Sequence, residues 1–306
     1  MTNMQERCIW VKLIFDGVSQ PTGLPGTSTE FSNGATSKII KTSSKTNDLS
    51  VNAMINIPGG FQPSNANIVI KGMLLDDINA FSRANVFYGF NIPANTVQIF
   101  AGYDTGDEQP PLVYQGSVIM AAPDQNDPSR PFRIYSQQVM SDQNIMASAT
   151  NPQGTSQIND LFANLANQLG YSYQPNNVGG QITNPILVGS AIHQLQQLAN
   201  DYGYQIKLDN NILKVAKVGM PYSDDIIQIN PDNGMLGYPT VNEFGINVRL
   251  RFNPSLSFGQ IVQVTSDLEL ANGDWWVNGV THLLQNQEAK FETTLTLLKN
   301  SSLAGT

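Results

Sequence analysis

INDLFANLANQLGYSY (residues 158–173) and AIHQLQQLANDYGYQI (residues 191–206) decide how this chain is organised. In the first, Ile158, Leu161, Phe162, Leu165, Ala166 and Leu169 recur at helical spacing and mark one apolar face. In the second, Ala191, Leu195, Leu198, Ala199 and Tyr202 do the same. Leu165-Ala166-Asn167 aligns with Leu198-Ala199-Asn200, and Gly170-Tyr171 with Gly203-Tyr204, at an offset of about 33 residues. A glycine just past the last apolar residue stops a helix, because it takes up the left-handed conformation without a Cβ penalty. A strand is expected after each helix. The second lies in QIKLDNNILKVAKVG (residues 205–219), a hairpin turned by Asp209 to Asn211. Two copies are too few for a solenoid, so residues 151–218 read as a small α/β domain with an internal duplication.

On both sides the period changes to two. Upstream, CIWVKLIF (8–15), the apolar positions of residues 37–58 and NIVIKGM (67–73) read as strands. TVQIFAGY (96–103), LVYQGSVIMAAP (112–123) and FRIYSQQV (132–139) follow, separated by the polar turns DTGDEQPP and DQNDPSRP. Three such strands make a meander, the usual start of a barrel or sandwich. Residues 16–37 are dense in Gly, Pro, Ser and Thr and read as a long loop or hairpin arm. Downstream, GINVRLRF (245–252), SFGQIVQVTSDLEL (257–270), GDWWVNGVTHLL (273–284) and AKFETTLTLLK (289–299) are four more strands, with Asn-Gly turns at Asn233 and Asn272. The expected order is β, then α/β, then β, with boundaries at 1–150, 151–218 and 219–306. The last region could share strands from 130–150.

Composition narrows the function. With 16 Lys and Arg against 24 Asp and Glu, the net charge is −8, a poor basis for holding DNA. Asn and Gln are abundant, and neutral polar side chains can be covered by a partner at small desolvation cost. No run of 18 apolar residues suggests a membrane span, and residues 1–15 do not read as a signal peptide. The single Cys8 excludes an internal disulfide framework and points to a reducing compartment.

The chain has two histidines, His193 and His282. His193 falls on a polar helix side among Gln194, Gln196 and Gln197, with no acidic partner one turn on. His282 follows the Trp275-Trp276 pair in one strand. Alternation puts Trp275, Val277, Gly279 and Thr281 on one face, and Trp276, Asn278, Val280 and His282 on the other, unless a bulge at Gly279 shifts the register. No nucleophile–base–orienter arrangement surrounds it, and no nucleophile elbow, zinc motif or P-loop is present. Trp275, Trp276 and His282 are therefore interface or packing candidates, with no catalytic, cofactor or metal residue expected. The turn carboxylates Asp104, Asp107, Glu108, Asp124 and Asp127 lack calcium-loop spacing. Asp76 and Asp77 are the candidates for a two-carboxylate wall hydrolase, but adjacent strand residues point apart.

The C-terminal block FGQIVQV…NGDWWVNGVTHLLQNQEAKFETTLTLL resembles the closing block of phage baseplate hub and late-control proteins. The likeness is carried by Gly259, Val262, Val264, Gly273, Trp275, Trp276, Val277, Val280, His282, Phe291, Thr293 and Leu295. The Leu165-Ala166 to Tyr171 and Leu198-Ala199 to Tyr204 helix ends resemble the small α/β units of the same hubs. VQIFAGY…LVYQGSVIMAAPD is similar to their opening tail-tube-like barrel. The resemblance implies an α+β, mainly β chain: two tail-tube-like β-barrels with the duplicated α/β domain between them. It implies a homotrimer joining a sixfold tail tube to a threefold spike, with tape-measure and other baseplate proteins as neighbours. DNA would pass without specific binding. Three copies would carry about −24, repelling DNA if enough carboxylates face the lumen. The site would be the virion tail, assembled in the host cytoplasm. The alternatives are a tail-associated cell-wall hydrolase, or a carbohydrate-binding tip module stacking sugars on exposed Trp275 and Trp276.

Overall fold

Alternating apolar residues build most of the fold seen in the computed structural model, which describes residues 6–16, 27–32, 35–43, 49–84, 95–103, 108–138, 153–288 and 290–299. The N-terminal region supplies β1 (Arg7–Asp16), β2 (Thr27–Ser32), β3 (Ala35–Ser43), β4 (Ser50–Ile57) and β5 (Asn65–Lys71). A short helix α1 (Leu75–Phe81) follows, then β6 (Arg83–Ala84), β7 (Thr96–Tyr103), β8 (Leu112–Pro123) and β9 (Phe132–Gln137). The middle region holds β10 (Thr155–Gln157), α2 (Ile158–Leu169), β11 (Ser172–Asn176), β12 (Gln181–Thr183), α3 (Ala191–Tyr202), β13 (Tyr204–Asp209) and β14 (Ile212–Lys217). The C-terminal region holds β15 (Ile226–Ile229), β16 (Thr240–Val241), β17 (Gly245–Arg251), β18 (Ile261–Val264), β19 (Gly273–Gln285) and β20 (Phe291–Lys299).

The chain is mainly β with a smaller α/β part. The two outer regions form one 15-stranded sheet, whose main path runs β16-β17-β20-β19-β4-β5-β9-β8-β7-β1-β3-β2. The predicted meander is present as β7-β8-β9. Strands distant in sequence meet at β4 and β19, antiparallel from Val280↔Ile57 to Gln285↔Asn52. One apolar cluster runs through both regions, from Ile9, Val11 and Leu13 to Val280, Leu295 and Leu297. Part of the 16–37 stretch is a hairpin arm: β2 and the start of β3 pair from Thr27↔Ile40 to Ser32↔Ala35. Residues 17–26 and 33–34 of it lie outside the described residues.

Residues 75–81 depart from the expected strand. They form α1, with Asp76 and Asp77 in its first turn, where carboxylates favour the positive end of the helix dipole. Phe81 packs edge-on against Phe15 at 5.2 Å. The strand before it stops at Lys71, and Gly72 turns the chain at φ 91°.

The duplicated unit has its own core of α2 and α3 against β11-β14-β13. Both helices end on a left-handed glycine, Gly170 at φ 73° and Gly203 at φ 69°. The following residues, Tyr171 and Tyr204, are both buried. β10 and β12, which precede the two helices, pair antiparallel. Tyr202 is 40% exposed rather than on the buried face, and Gln194 is fully buried instead. Gln194 is tolerated there because its amide donates to the Gly189 carbonyl at 3.0 Å, so no donor is stranded.

A polar contact fastens this unit to the sheet. Asn210 and Asn211 turn the β13–β14 hairpin at φ 46° and 65°, which asparagine tolerates better than most residues. The Asn210 carboxamide oxygen accepts the Gln115 backbone N–H at 2.9 Å and the Gln138 amide at 3.1 Å. Its amide donates to the Val113 carbonyl at 3.3 Å. Asn210→Ala should lower stability by about 1–3 kcal/mol, because it leaves the Gln115 N–H unpaired in a half-buried cleft. Urea unfolding checks this; an unchanged midpoint would show that the turn is not a fastening.

Candidate functional site

β19 carries the three residues singled out by sequence, and a bulge sorts them. Its pairing with β20 shifts register between Val277 and Gly279. Up to the bulge, Trp275 and Val277 enter the shared core; beyond it Val280 and Leu284 do, together with the buried His282. The simple alternation from Trp275 to Thr281 is therefore inverted past residue 278, in the way a bulge at Gly279 requires.

Trp275 is 5% exposed and Trp276 2% exposed. The Trp275 indole N–H donates to the Ala271 carbonyl at 2.8 Å. Trp276 lies on the opposite side of the strand, edge-on to Phe258 at 6.2 Å. Phe258 in turn packs on Tyr222 at 5.9 Å. Gly259 makes this possible: it sits at φ 80°, and a Cβ there would collide with the Tyr222 ring. A sugar platform needs an exposed indole face, and here both are covered.

His282 is 1% exposed, held between Phe252 at 5.3 Å and the Thr293 hydroxyl, 2.9 Å from Nδ1. That hydroxyl also accepts the Asn253 backbone N–H at 3.2 Å. The direction of the Thr293–Nδ1 bond follows the imidazole tautomer, since a hydroxyl can donate or accept. Burial pushes the His282 pKa down to about 4, against a smaller opposing effect of Asp209. A base held neutral in a closed apolar site, with no carboxylate orienting it, does not make a proton-transfer site. Phe252 and Phe291 extend this cluster to Tyr103 of β7, which donates to the Phe291 carbonyl at 3.2 Å. The histidine thus belongs to the packing that joins the two outer β regions.

The other candidates are dispersed. Asp77 is fully buried and ion-paired with the buried Lys38 at 2.5 Å, while Asp76 is exposed. They do not share a cleft. Asp124 pairs with Arg133 at 2.9 Å, and Asp127 accepts the Ser129 N–H and hydroxyl. Glu108 is exposed; Asp104 and Asp107 lie outside the described residues. His193 is exposed on α3, its backbone N–H capped by Ser190. Among the described residues no three His, Cys, Asp or Glu side chains converge to hold a metal ion.

Sequence reasoning missed Lys207. It is 2% exposed and reaches from β13 to the Pro58 and Gln62 carbonyls at 2.8 and 2.9 Å, 5.7 Å above the Phe258 ring. Desolvation lowers its pKa to about 8. Alternation puts it on the face of β13 opposite Tyr204, Ile206 and Leu208, so the sequence carried no signal that it would be buried. The sequence reading also missed the character of the sheet's outward face. Met120, Tyr135, Asn67, Met54 and Leu283 lie in register across five strands. Beside them run Gln137, Asn65, Asn56, Thr281 and Thr294. On the other flank run Arg133, Val69, Asn52 and Gln285. Asn56 links its row, donating to Asn65 at 3.1 Å and accepting from Thr281 at 3.2 Å.

Comparison with known proteins places this architecture. The family model described as baseplate hub gp41 matches residues 40–297. No curated protein matches the chain. Among solved structures, the 43 kDa tail protein of prophage MuSo2 from Shewanella oneidensis is similar at a TM-score of 0.56 and 9% identity, covering 84% of this chain and 98% of that one. A tail protein from Neisseria meningitidis MC58 gives 0.53 and 11%, covering 82% and 96%. The E. coli c3393 protein, described as a type VI secretion system component, gives 0.50 and 7%, covering 81% and 73%. At these identities the likeness is one of fold.

The His282 environment has a pH consequence. Its folded pKa of about 4 lies below the usual 6.5, so the unfolded chain binds this proton first. Stability should fall as pH drops from 6.5 towards 4, by on the order of 3 kcal/mol in total, and this contribution should change no further below that. His282→Gln should flatten that segment of the curve when urea midpoints are compared from pH 7 to 4. Parallel curves for the two proteins would mean that the imidazole is not held neutral.

Proposed function

The chain belongs to the baseplate hub gp41 family, and from that premise we propose that it is a trimeric symmetry adaptor between a sixfold tail tube and a threefold spike. The family places it among the structural proteins of the phage tail baseplate, and so in the virion. The observation that carries the finer reading is the β4–β19 pairing. Through it one chain presents two β regions, N-terminal and C-terminal, as parts of one wall. Three chains then offer six wall segments around a channel, which suits a sixfold ring on one side and threefold symmetry on the other.

In this reading residues 1–150 and 219–306 are the two tail-tube-like barrels, and residues 151–218 are a docked α/β domain. The tube protein, spike, tape-measure protein and other baseplate proteins are the neighbours, and assembly takes place in the host cytoplasm. The role is mechanical: the chain holds its neighbours in register and lets DNA pass. The buried state of Trp275, Trp276 and His282 supports a packing role for them.

The adaptor reading predicts a particle of about 100 kDa by light scattering behind a sizing column, three times the 33.4 kDa chain. A monomer across the concentration range that also fails to trimerise with tube or spike protein would overturn it. A non-catalytic role predicts blank zymograms on peptidoglycan. A clearing band that survives Asp76→Asn would reveal hydrolysis from elsewhere in the chain, and one abolished by it would restore the two-carboxylate reading.

A further inference from the structure

Where the α/β unit meets the sheet, Gln138 carries a buried acceptor that no protein group satisfies. Gln138 directly follows β9 and is 5% exposed, and its Nε2 donates to the Asn210 carboxamide oxygen at 3.1 Å. This fixes which way the Gln138 amide is turned. The same Asn210 atom accepts the Gln115 backbone N–H at 2.9 Å, so it is an oxygen, and Gln138 must present its nitrogen to it. Oε1 is left on the other side of the amide, and among the described residues none donates to it. Ser64 stands beside it. The Gln138 backbone N–H donates to the Ser64 carbonyl at 2.9 Å, one step past the Asn65↔Gln137 pair, and alternation puts both side chains on the same side of the β5–β9 ladder. The Ser64 hydroxyl is fully buried and also without a protein partner. Ser136, two residues back on that side, differs: its hydroxyl donates to the Ser117 carbonyl at 2.8 Å and bonds the Tyr114 hydroxyl at 3.1 Å. The unpaired groups of this ladder lie at its end, at the joint with the α/β unit.

Gln138 lines a cleft of about 150 Å³ between the sheet and the β13–β14 turn. Thr96, Gln115, Ser117, Asn210 and Asn211 supply more of its polar lining, and Tyr171 and Leu208 of the α/β unit give it an apolar wall. We propose that this cleft is a binding site for ordered water, and that the α/β unit is seated on the sheet through a hydrated joint. The cleft has both the room and the partners. A buried water takes about 30 Å³ and needs two to four polar neighbours, so several fit. A buried acceptor without a donor is costly, whereas a bridging water serves nearly as well as a direct hydrogen bond. The adjacent protein amides are already committed. Gln115 donates to Asn211 at 3.3 Å and accepts from Gln98 at 2.8 Å, and the Asn210 amide donates to the Val113 carbonyl at 3.3 Å. The charges favour water over a cation. Among the described residues the one carboxylate lining the cleft is Asp209, and Lys214 pairs with it at 3.0 Å. This inference concerns the seat of the α/β unit and does not depend on the adaptor reading.

The test is a crystal structure of the full chain at a resolution that shows water, for the wild type and for Gln138→Met, which keeps the length of the side chain and removes its donor and acceptor. The wild-type map is expected to hold an ordered water within about 3.2 Å of Gln138 Oε1, with a second polar contact to the cleft lining. In Gln138→Met that water should be lost, while Asn210 still accepts the Gln115 N–H. A dry wild-type cleft, or an Oε1 bonded directly to a protein donor, would overturn the proposal. So would a peak with oxygen contacts near about 2.4 Å, which marks a cation. The same water persisting in Gln138→Met would also overturn it, because the acceptor would then not be what holds it. If Gln138→Met does not fold, the wild-type map decides alone.

Discussion

Six cross-strand pairs between β4 and β19 hold the architecture together. They join residues more than 220 positions apart and turn two separate runs of antiparallel strands into one sheet. The contact is reinforced at its open end. The Asn286 carboxamide accepts the Val51 N–H at 2.8 Å and donates to the Leu49 carbonyl at 2.9 Å. Asn286 is 2% exposed, so these groups would be stranded without each other. Behind the seam, Tyr103 brings the N-terminal region into the Phe252–Phe291–His282 cluster. Loop closure over such a distance is costly in entropy but grows slowly with length, and a continuous apolar core offsets it.

The seam also sets where everything else goes. With one face of the sheet committed to the core, the other is left as a broad surface of in-register rows. The α/β unit stays off the centre of that surface. It is fastened at the margin, by Asn210 to the β8 backbone and by Lys207 to the Pro58 and Gln62 carbonyls. Both contacts are polar and geometrically demanding, which fixes the unit's orientation as apolar contact alone would not. Lys207 also lies over Phe258, which packs on Trp276. The paired tryptophans, the Gly259 turn and the α/β unit are thus parts of one corner of the molecule.

Much of this was legible in the residues. The duplicated helices declared themselves through period and through Gly170 and Gly203, because a left-handed cap is a local requirement. The meander and the closing strands followed from alternation and Asn-Gly turns. What the residues hid was non-local. Nothing in MINI or THLL says that Met54 will face Leu283 across a sheet. The short helix at residues 75–81 was lost because it is barely two turns long and its stability comes from Phe81 on Phe15 and Asp77 on Lys38. At β19 the local rule gave the faces up to Val277, and a single extra residue reversed them. The resemblance of the closing block pointed to the family, and many of its residues are buried. The outward rows of Asn, Gln, Thr and Met positions are marked by no motif.

The central claim is that one chain supplies two β regions to a common channel at a change of symmetry. Electron cryo-microscopy of intact tails tests it most directly. The account predicts three copies at the junction of tube and spike, each contributing both regions to the channel. Six copies, or a chain on the periphery of the tail away from the channel, would contradict it.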